Sequence, residues 1–189
     1  AEEETLLILG DSISAGYGIN KKDNWVYLMQ QKFDEEGNSI KLINSSVSGD
    51  TTGGGLGRLA KNLKKFKPDF VLIELGGNDA LRGYSIKLIK SNLEKMIALI
   101  KQNKSKVLLM QIRIPPNYGQ KYMLAFEKIY KDLALSEEVY LMPFMLEEIG
   151  INSELMQPDG IHPNKKAQSL IAKDVKKNID KFLLINQSN

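Results

Sequence analysis

Residues 5–14 are Thr-Leu-Leu-Ile-Leu-Gly-Asp-Ser-Ile-Ser, a continuous apolar run that stops abruptly at a polar turn. A strand inside a parallel sheet has this pattern, because helices cover both of its faces and neither face meets water. The run 5–9 therefore predicts a buried strand. Four more short runs of branched or leucine-rich residues predict strands at 40–44, 70–75, 106–112 and 139–142.

Longer stretches with helical spacing lie between these strands. Apolar residues follow a period of about 3.6 in 25–33 and 86–100, and further helices are predicted at about 122–135 and 163–184, the last with Pro163 in its first turn. The alternation of strand and helix predicts an α/β fold, with three α/β/α layers around a flavodoxin-like parallel five-stranded sheet. No linker or repeat interrupts residues 1–189, which are expected to form a single domain.

Composition excludes several classes of function. The chain has no cysteine and one histidine, so disulfides, thiol catalysis and thiolate or histidine-rich metal sites are excluded, and neither a metal nor a cofactor is expected. The net charge of +3 comes mostly from lysines spread along helix faces, without the surface typical of nucleic-acid-binding proteins. No apolar run approaches the roughly 20 residues that span a bilayer, so no stable membrane insertion is expected.

Four polar segments stand out, and three of them directly follow a predicted strand. They are Gly-Asp-Ser-Ile-Ser (10–14), Ser-Val-Ser-Gly-Asp (46–50), Gly-Gly-Asn-Asp (76–79) and Asp-Gly-Ile-His-Pro (159–163). Each has a structural explanation when it is taken singly. Asp11 or Ser12 could cap a helix or turn, 76–78 could form a tight turn, and His162 could be a structural histidine near a helix start.

Together the four segments favour acyl-transfer chemistry. Ligands of parallel α/β sheets bind outside the carboxyl ends of the strands, so these loops are expected to meet at one edge. There Ser12 would supply a hydroxyl nucleophile and His162 a base, while Asp159, three residues earlier, would fix the imidazole tautomer. Loop amides would bind the developing oxyanion. The four segments together indicate acyl-transfer chemistry more specifically than any one of them does alone.

The blocks GDSIS, SVSGDTT, GGND and DGIHP resemble, in order and spacing, the signature blocks of the SGNH (GDSL) hydrolases. The longer segments ILGDSISAGYG, INSSVSGDTT, ELGGNDALRG, LLMQIRIPPNYG and MQPDGIHPN are similar to the bacterial subgroup of multifunctional acyl-CoA thioesterases, lysophospholipases and arylesterases. The resemblance implies that Ser12 is the nucleophile, His162 the base and Asp159 its orienting partner. It also implies an oxyanion hole made of the backbone N–H groups of Ser12 and Gly49 and the side-chain amide of Asn78.

This subgroup is usually exported to the periplasm. A chain that begins at Ala1 without Met would suit removal of an export signal, although a chain shortened in another way would begin identically. We therefore expect a periplasmic or secreted monomer that acts on a small-molecule or lipid acyl ester or thioester. Two features depart from the subgroup's pattern, namely Ala80 after GGND and the glycine-rich run 53–57.

Apolar residues at the same edge are candidates for an acyl-binding surface. They are Ile112, Ile114, Pro115, Tyr118 and Ile161. A groove lined by them would favour long acyl chains, since each buried methylene contributes about 0.8 kcal/mol. Ile112 and Ile114 are equally compatible with the core. A carbohydrate O-acetylesterase or small-ester esterase with the same catalytic residues is therefore the alternative within the enzyme class.

A non-catalytic flavodoxin-like or receiver-like binding module would have the same layers. A phosphoacceptor receiver needs clustered acids after the first and third strands and a lysine after the fifth, whereas here Gly-Gly-Asn follows the third and Pro143-Phe144 the fifth. Gly55, Gly57 and Ala60 formally match a dinucleotide-binding fingerprint, but several residues separate them from the preceding strand. Neither alternative is favoured.

Overall fold

The computed structural model describes residues 2–187. Within them, five parallel strands form one sheet in the order β2-β1-β3-β4-β5. The strands are β1 (Thr5–Gly10), β2 (Lys41–Asn44), β3 (Phe70–Glu74), β4 (Lys106–Met110) and β5 (Tyr140–Met142). Every residue of β3 is buried, as is all of β1 after its first residue. The predicted α/β fold with a flavodoxin-like sheet is confirmed.

Seven α-helices flank the sheet within residues 2–187. They are α1 (Ser12–Ala15), α2 (Trp25–Glu35), α3 (Thr52–Phe66), α4 (Gly77–Leu81), α5 (Ile86–Gln102), α6 (Gln120–Ser136) and α7 (Lys165–Gln187). The helices form two outer layers. In one layer α2 packs against α7, and in the other α5 packs against both α3 and α6. The core aromatic residue Trp25 also supports the turn after β1, since its indole N–H donates a hydrogen bond to the Ile13 carbonyl at 3.2 Å.

The structure corrects the predicted start of the last helix. α7 begins at Lys165, so Pro163 precedes the helix instead of lying in its first turn. Pro163 forms an isolated antiparallel bridge with Met156, and Asn164 accepts the Ala167 N–H through its side chain at 3.2 Å. The bridge closes residues 156–163 into a loop, and this contact delays the helix. β4 is also two residues shorter than predicted, because it ends at Met110.

The strand order positions the site. The chain leaves β1 for β2 on one side and returns to β3 on the other, so a topological switch point lies between the carboxyl ends of β1 and β3. Ligands of open α/β sheets bind at such a point. The segments 10–14 and 76–79 lie at these two strand ends.

Candidate active site

Ser12 is the first residue of α1, at the sharp turn that follows β1. Asp11 fixes this turn, since its Oδ1 accepts a hydrogen bond from the Ile13 N–H at 3.0 Å. Ser12 Oγ lies 2.9 Å from Nε2 of His162, although 150 residues separate the two in the chain. Asp11 therefore has the capping role that the sequence allowed, and its neighbour faces the histidine.

Asp159 holds the imidazole of His162 from its other side. Asp159 Oδ2 lies 2.6 Å from His162 Nδ1, and Oδ1 accepts hydrogen bonds from the backbone N–H groups of His162 at 3.0 Å and Ile161 at 2.9 Å. The backbone hydrogen bond from His162 is the main reason that the pKa of Asp159 is lowered to about 2. An ionised Asp159 keeps the ring proton on Nδ1, which leaves Nε2 to accept the hydroxyl proton of Ser12.

Gln157 and Tyr17 join the histidine loop to the serine turn. The Gln157 side-chain amide donates hydrogen bonds to the carbonyl groups of Tyr17 at 2.8 Å and Pro163 at 3.0 Å. The Tyr17 ring lies over the imidazole of His162, with their centroids 4.4 Å apart. The contacts of Tyr17 with Gln157 and with His162 were not predicted from the sequence, because they connect segments at least 140 residues apart. These contacts fix the position of the histidine loop relative to the serine turn.

The expected oxyanion donors lie on the loops after β2 and β3. Gly49 has φ +79°, in the left-handed region that favours glycine, and an added Cβ there would meet nothing within 4 Å. Among residues 2–187, the Gly49 N–H donates no hydrogen bond. Asn78, in the first turn of α4, donates to the Asp50 carbonyl at 2.8 Å. Because its amide carries two hydrogens, a second one remains for a ligand.

The starts of α3 and α4 are joined beneath these donors by buried side chains. The Asp79 carboxylate accepts hydrogen bonds from the Thr52 N–H at 2.8 Å and the Thr52 hydroxyl at 2.6 Å. The Asn92 amide donates to Thr52 Oγ1 at 3.1 Å. Asp79 follows Asn78 in the chain, so these hydrogen bonds hold Asn78 at a fixed distance from the loop before α3.

Sequence reasoning missed a buried carboxyl group, Glu74, at the end of β3. Glu74 Oε1 accepts hydrogen bonds from the Ser14 hydroxyl at 2.6 Å and the Asp11 N–H at 3.4 Å, and the residue is 1% exposed. Burial raises the pKa of Glu74 well above its usual range and that of Asp11 to about 6. Glu74 is the one charged residue in the run 70–75. A charge inside a parallel sheet is unfavourable unless it is paired or neutralised, and this was the signal that the sequence offered.

An apolar cavity of about 470 Å³ adjoins the histidine loop. Of the residues predicted to bind an acyl group, Ile114, Pro115 and Ile161 line it. Ile112 is buried in the core, and Tyr118 lies on a short 3₁₀ helix (Pro116–Tyr118); neither lines the cavity. Sequence reasoning missed several other apolar lining residues, namely Leu81, Met123, Phe144, Leu146, Ile151 and Met156.

Residues 2–187 contain neither a cluster of metal-binding side chains nor a helix suited to crossing a membrane. In this part of the chain, no three side chains of His, Asp or Glu gather into a group that could hold a metal ion. None of the helices described here combines the length and the apolar character that crossing a membrane requires.

Comparison with known proteins gives the family. Residues 8–170 match the GDSL-like lipase/acylhydrolase family. The chain is 49% identical to an arylesterase of Vibrio mimicus over 180 residues, which cover 95% of this chain and 90% of that protein. It is 45% identical to thioesterase 1/protease 1/lysophospholipase L1 of Escherichia coli K12 over 172 residues, 91% of this chain and 81% of that protein.

A solved structure agrees with this result over nearly the whole length of the chain. The psychrotrophic esterase EstA of Pseudoalteromonas sp., in a structure inhibited by monoethylphosphonate, superposes with a TM-score of 0.94 at 43% identity, covering 95% of this chain and 98% of that one. From the family match, the identities and this superposition together, the chain belongs to the GDSL-like lipase/acylhydrolase family and is an ester-hydrolysing enzyme.

Proposed function

We propose that this enzyme hydrolyses carboxylic esters and thioesters of acyl chains through an acyl-enzyme on Ser12. The observation that carries the proposal is the hydrogen-bonded series of Ser12, His162 and Asp159, with separations of 2.9 and 2.6 Å. It supplies a nucleophile, a base and an acid that orients the base. His162 is the only histidine of the chain, so no second imidazole competes for the role of base.

In the proposed mechanism, Ser12 Oγ attacks the acyl carbonyl carbon while its proton passes to His162 Nε2. The N–H groups of Ser12 and Gly49 and the second amide hydrogen of Asn78 stabilise the oxyanion of the tetrahedral intermediate. When the intermediate collapses, the C–O or C–S bond breaks and the imidazolium protonates the departing alcohol or thiol. Water then attacks the acyl-enzyme with the same base, which releases the carboxylic acid and restores the Ser12 hydroxyl.

Replacing the nucleophile tests this assignment. Ser12→Ala should abolish hydrolysis of p-nitrophenyl acetate while the far-ultraviolet circular dichroism and Tm stay close to wild type, because only one hydroxyl is removed. A phosphonate ester should label wild-type protein once, at Ser12, as determined by mass spectrometry of peptides. Ser39→Ala, at a distant exposed serine, is the control. Labelling at another serine, or near-normal turnover by Ser12→Ala, would contradict the proposal.

The apolar cavity supports acyl chains as substrates over small esters. Each additional methylene that enters it should raise kcat/KM about fourfold, which corresponds to about 0.8 kcal/mol. Turnover of p-nitrophenyl esters and acyl-CoA thioesters with two to sixteen carbons measures this dependence. We expect kcat/KM to rise with chain length until the cavity is filled. A steady fall from two carbons upward would favour the alternative, a small-ester esterase or carbohydrate O-acetylesterase.

We also propose that the enzyme works as a monomer in the periplasm or outside the cell. Similarity to a usually exported bacterial subgroup supports the location, and a chain without cysteine has no thiol that an oxidising compartment would affect. Fractionation of the source cells, with the activity followed in each fraction, tests the location. Light scattering of the purified enzyme tests the monomer.

A further inference from the structure

We propose that Arg58 is a positioning residue for the oxyanion hole, and that it acts through an ion pair with Asp50 for which Gly54 makes room. The inference rests on the proposed function, because it takes Gly49 and Asn78 as the groups that stabilise the oxyanion. Arg58 itself does not touch the reacting atoms; it holds the loops that carry them.

The Arg58 guanidinium lies among three chain segments. Nε donates to Asp50 Oδ2 at 2.7 Å, and Nη2 donates to the Gly10 carbonyl at 3.2 Å. Nη1 donates to the Ser45 carbonyl and, at 3.1 Å, to the Ser45 hydroxyl. The side chains of Arg58 and Asp50 are only 22% and 11% exposed, so solvent and salt screen their attraction less than that of a surface pair.

Two of the three segments that Arg58 contacts also carry groups of the proposed reaction. Gly10 is two residues before Ser12, and Asp50 directly follows Gly49. The Asp50 carbonyl also accepts the hydrogen bond from the Asn78 amide. The Arg58 guanidinium therefore links the end of β1 to the loop that carries Gly49 and, through Asp50, to Asn78. A planar fork with five N–H groups can reach acceptors in these three directions, whereas a lysine ammonium cannot take the same geometry.

The Asp50 carboxylate occupies the space that a side chain at position 54 would fill. A Cβ added to Gly54 would lie 1.8 Å from Asp50 Oδ1, so any side chain there would displace the carboxylate from Arg58. Gly57 lies one turn later in α3, and a Cβ added there would meet nothing within 4 Å. The glycine-rich run thus contains one position where absence of a side chain is needed for the ion pair and one where it is not.

Arg58→Met is the main test, because methionine keeps much of the apolar bulk and removes all the donors. We expect kcat for a p-nitrophenyl ester to fall about 10- to 100-fold with little change in KM, as the oxyanion donors lose their alignment. The same substitution in an Asn78→Ala background should lower kcat much less, because a donor that Arg58 positions is already missing. Arg58→Lys should recover only part of the loss.

Two outcomes of this series would overturn the inference. One is wild-type kcat in Arg58→Met. The other is an equal fold-loss from Arg58→Met in the wild-type and Asn78→Ala backgrounds, which would mean that Arg58 does not position Asn78, one of the two donors that the inference assigns to it.

The two glycines provide a matched pair that does not depend on whether Arg58→Met folds. Gly54→Ala and Gly57→Ala make the same chemical change in the same helix. We expect Gly54→Ala to lower kcat at least tenfold and Gly57→Ala to leave kcat unchanged with an equal or higher Tm. Wild-type kcat in Gly54→Ala would overturn the inference.

The same series separates this inference from the proposed function. If Asn78→Ala retains wild-type kcat, or Ser12→Ala retains activity, the proposed site roles are wrong and the inference fails with them. If both of those variants behave as proposed and neither Arg58→Met nor Gly54→Ala lowers kcat, only the positioning role of Arg58 is wrong.

Discussion

Two aspartates near Ser12 have opposite pKa shifts because their surroundings differ. Asp159 is half-exposed to solvent and accepts backbone hydrogen bonds, first that of His162, so its pKa falls to about 2. Asp11 is buried, and the loss of solvation raises its pKa to about 6. Asp11 also interacts electrostatically with His162. The rate near pH 6 is therefore expected to depend on the charge of Asp11, which its position as a turn cap in the sequence does not suggest.

Asn78 allows the oxyanion assignment to be tested at one residue. Asn78→Ala should lower kcat about 10²- to 10³-fold with KM little changed, since the lost hydrogen bond is made only as negative charge develops in the transition state. Asn78→Asp should be slower still, because a carboxylate repels the oxyanion. Steady-state kinetics on one p-nitrophenyl ester measures both. A variant that mainly raises KM would indicate a role in ground-state binding.

At the scale of the elements, the sequence predicts what depends on local pattern. Short runs of branched or leucine-rich residues predicted all five strands, and the apolar character is most continuous in the buried strand β1, which has no polar face. Loop lengths and contacts between loops were not predictable in this way. Pro163 is suited to a first helical turn, but its bridge with Met156 keeps it outside α7. The buried carboxyl of Glu74 and the contacts of Arg58 likewise depend on segments that are distant in the chain.

The contact between the serine turn and the histidine loop is testable through Gln157. Gln157→Glu removes the amide donor and places a carboxylate against the carbonyl groups of Tyr17 and Pro163. Because a displacement of about 1 Å between reacting groups is enough to slow catalysis about 100-fold, we expect a 10- to 100-fold loss of kcat. Gln157→Met, which lacks both donor and charge, should lose less. Equal, wild-type rates in both variants would show that the loops hold their register without this side chain.

For the molecule as a whole, the site and the stability of the sheet are connected. Ser12 and His162 are 150 residues apart in the chain, so their contact depends on the folded structure. Asp11 directly follows β1, Glu74 is the last residue of the neighbouring strand β3, and both residues are buried. Their raised pKa values mean that the folded protein binds protons that the unfolded chain releases. Stability should consequently decrease as pH rises above the ordinary carboxyl range.

Glu74→Gln isolates this effect, because glutamine has the shape of a protonated glutamic acid and keeps an oxygen for the Ser14 hydroxyl. Unfolded Glu74 loses its proton near the ordinary value of 4.5, whereas the folded protein keeps it to a much higher pH. Above about pH 5, and until the pH reaches the raised folded-state pKa of Glu74, wild type should therefore lose up to about 1.4 kcal/mol of unfolding free energy per pH unit relative to Glu74→Gln.

Neither Asp11 nor Asp159 alone accounts for this difference in pH dependence between wild type and Glu74→Gln. The raised pKa of Asp11 gives wild type and variant slopes of the same sign, so the difference in slope reports on Glu74 together with its interaction with Asp11. The contribution of Asp159, whose pKa is lowered to about 2, is lost only as pH falls below about 4. Urea unfolding at pH 5, 6, 7 and 8 measures the difference, with Glu74→Ala as the control that should be less stable than Glu74→Gln at every pH, because it leaves the Ser14 hydroxyl without its acceptor. A constant difference between Glu74→Gln and wild type from pH 5 to 8 would mean that Glu74 is ionised in the folded protein, so that a carboxylate charge is buried at the end of β3.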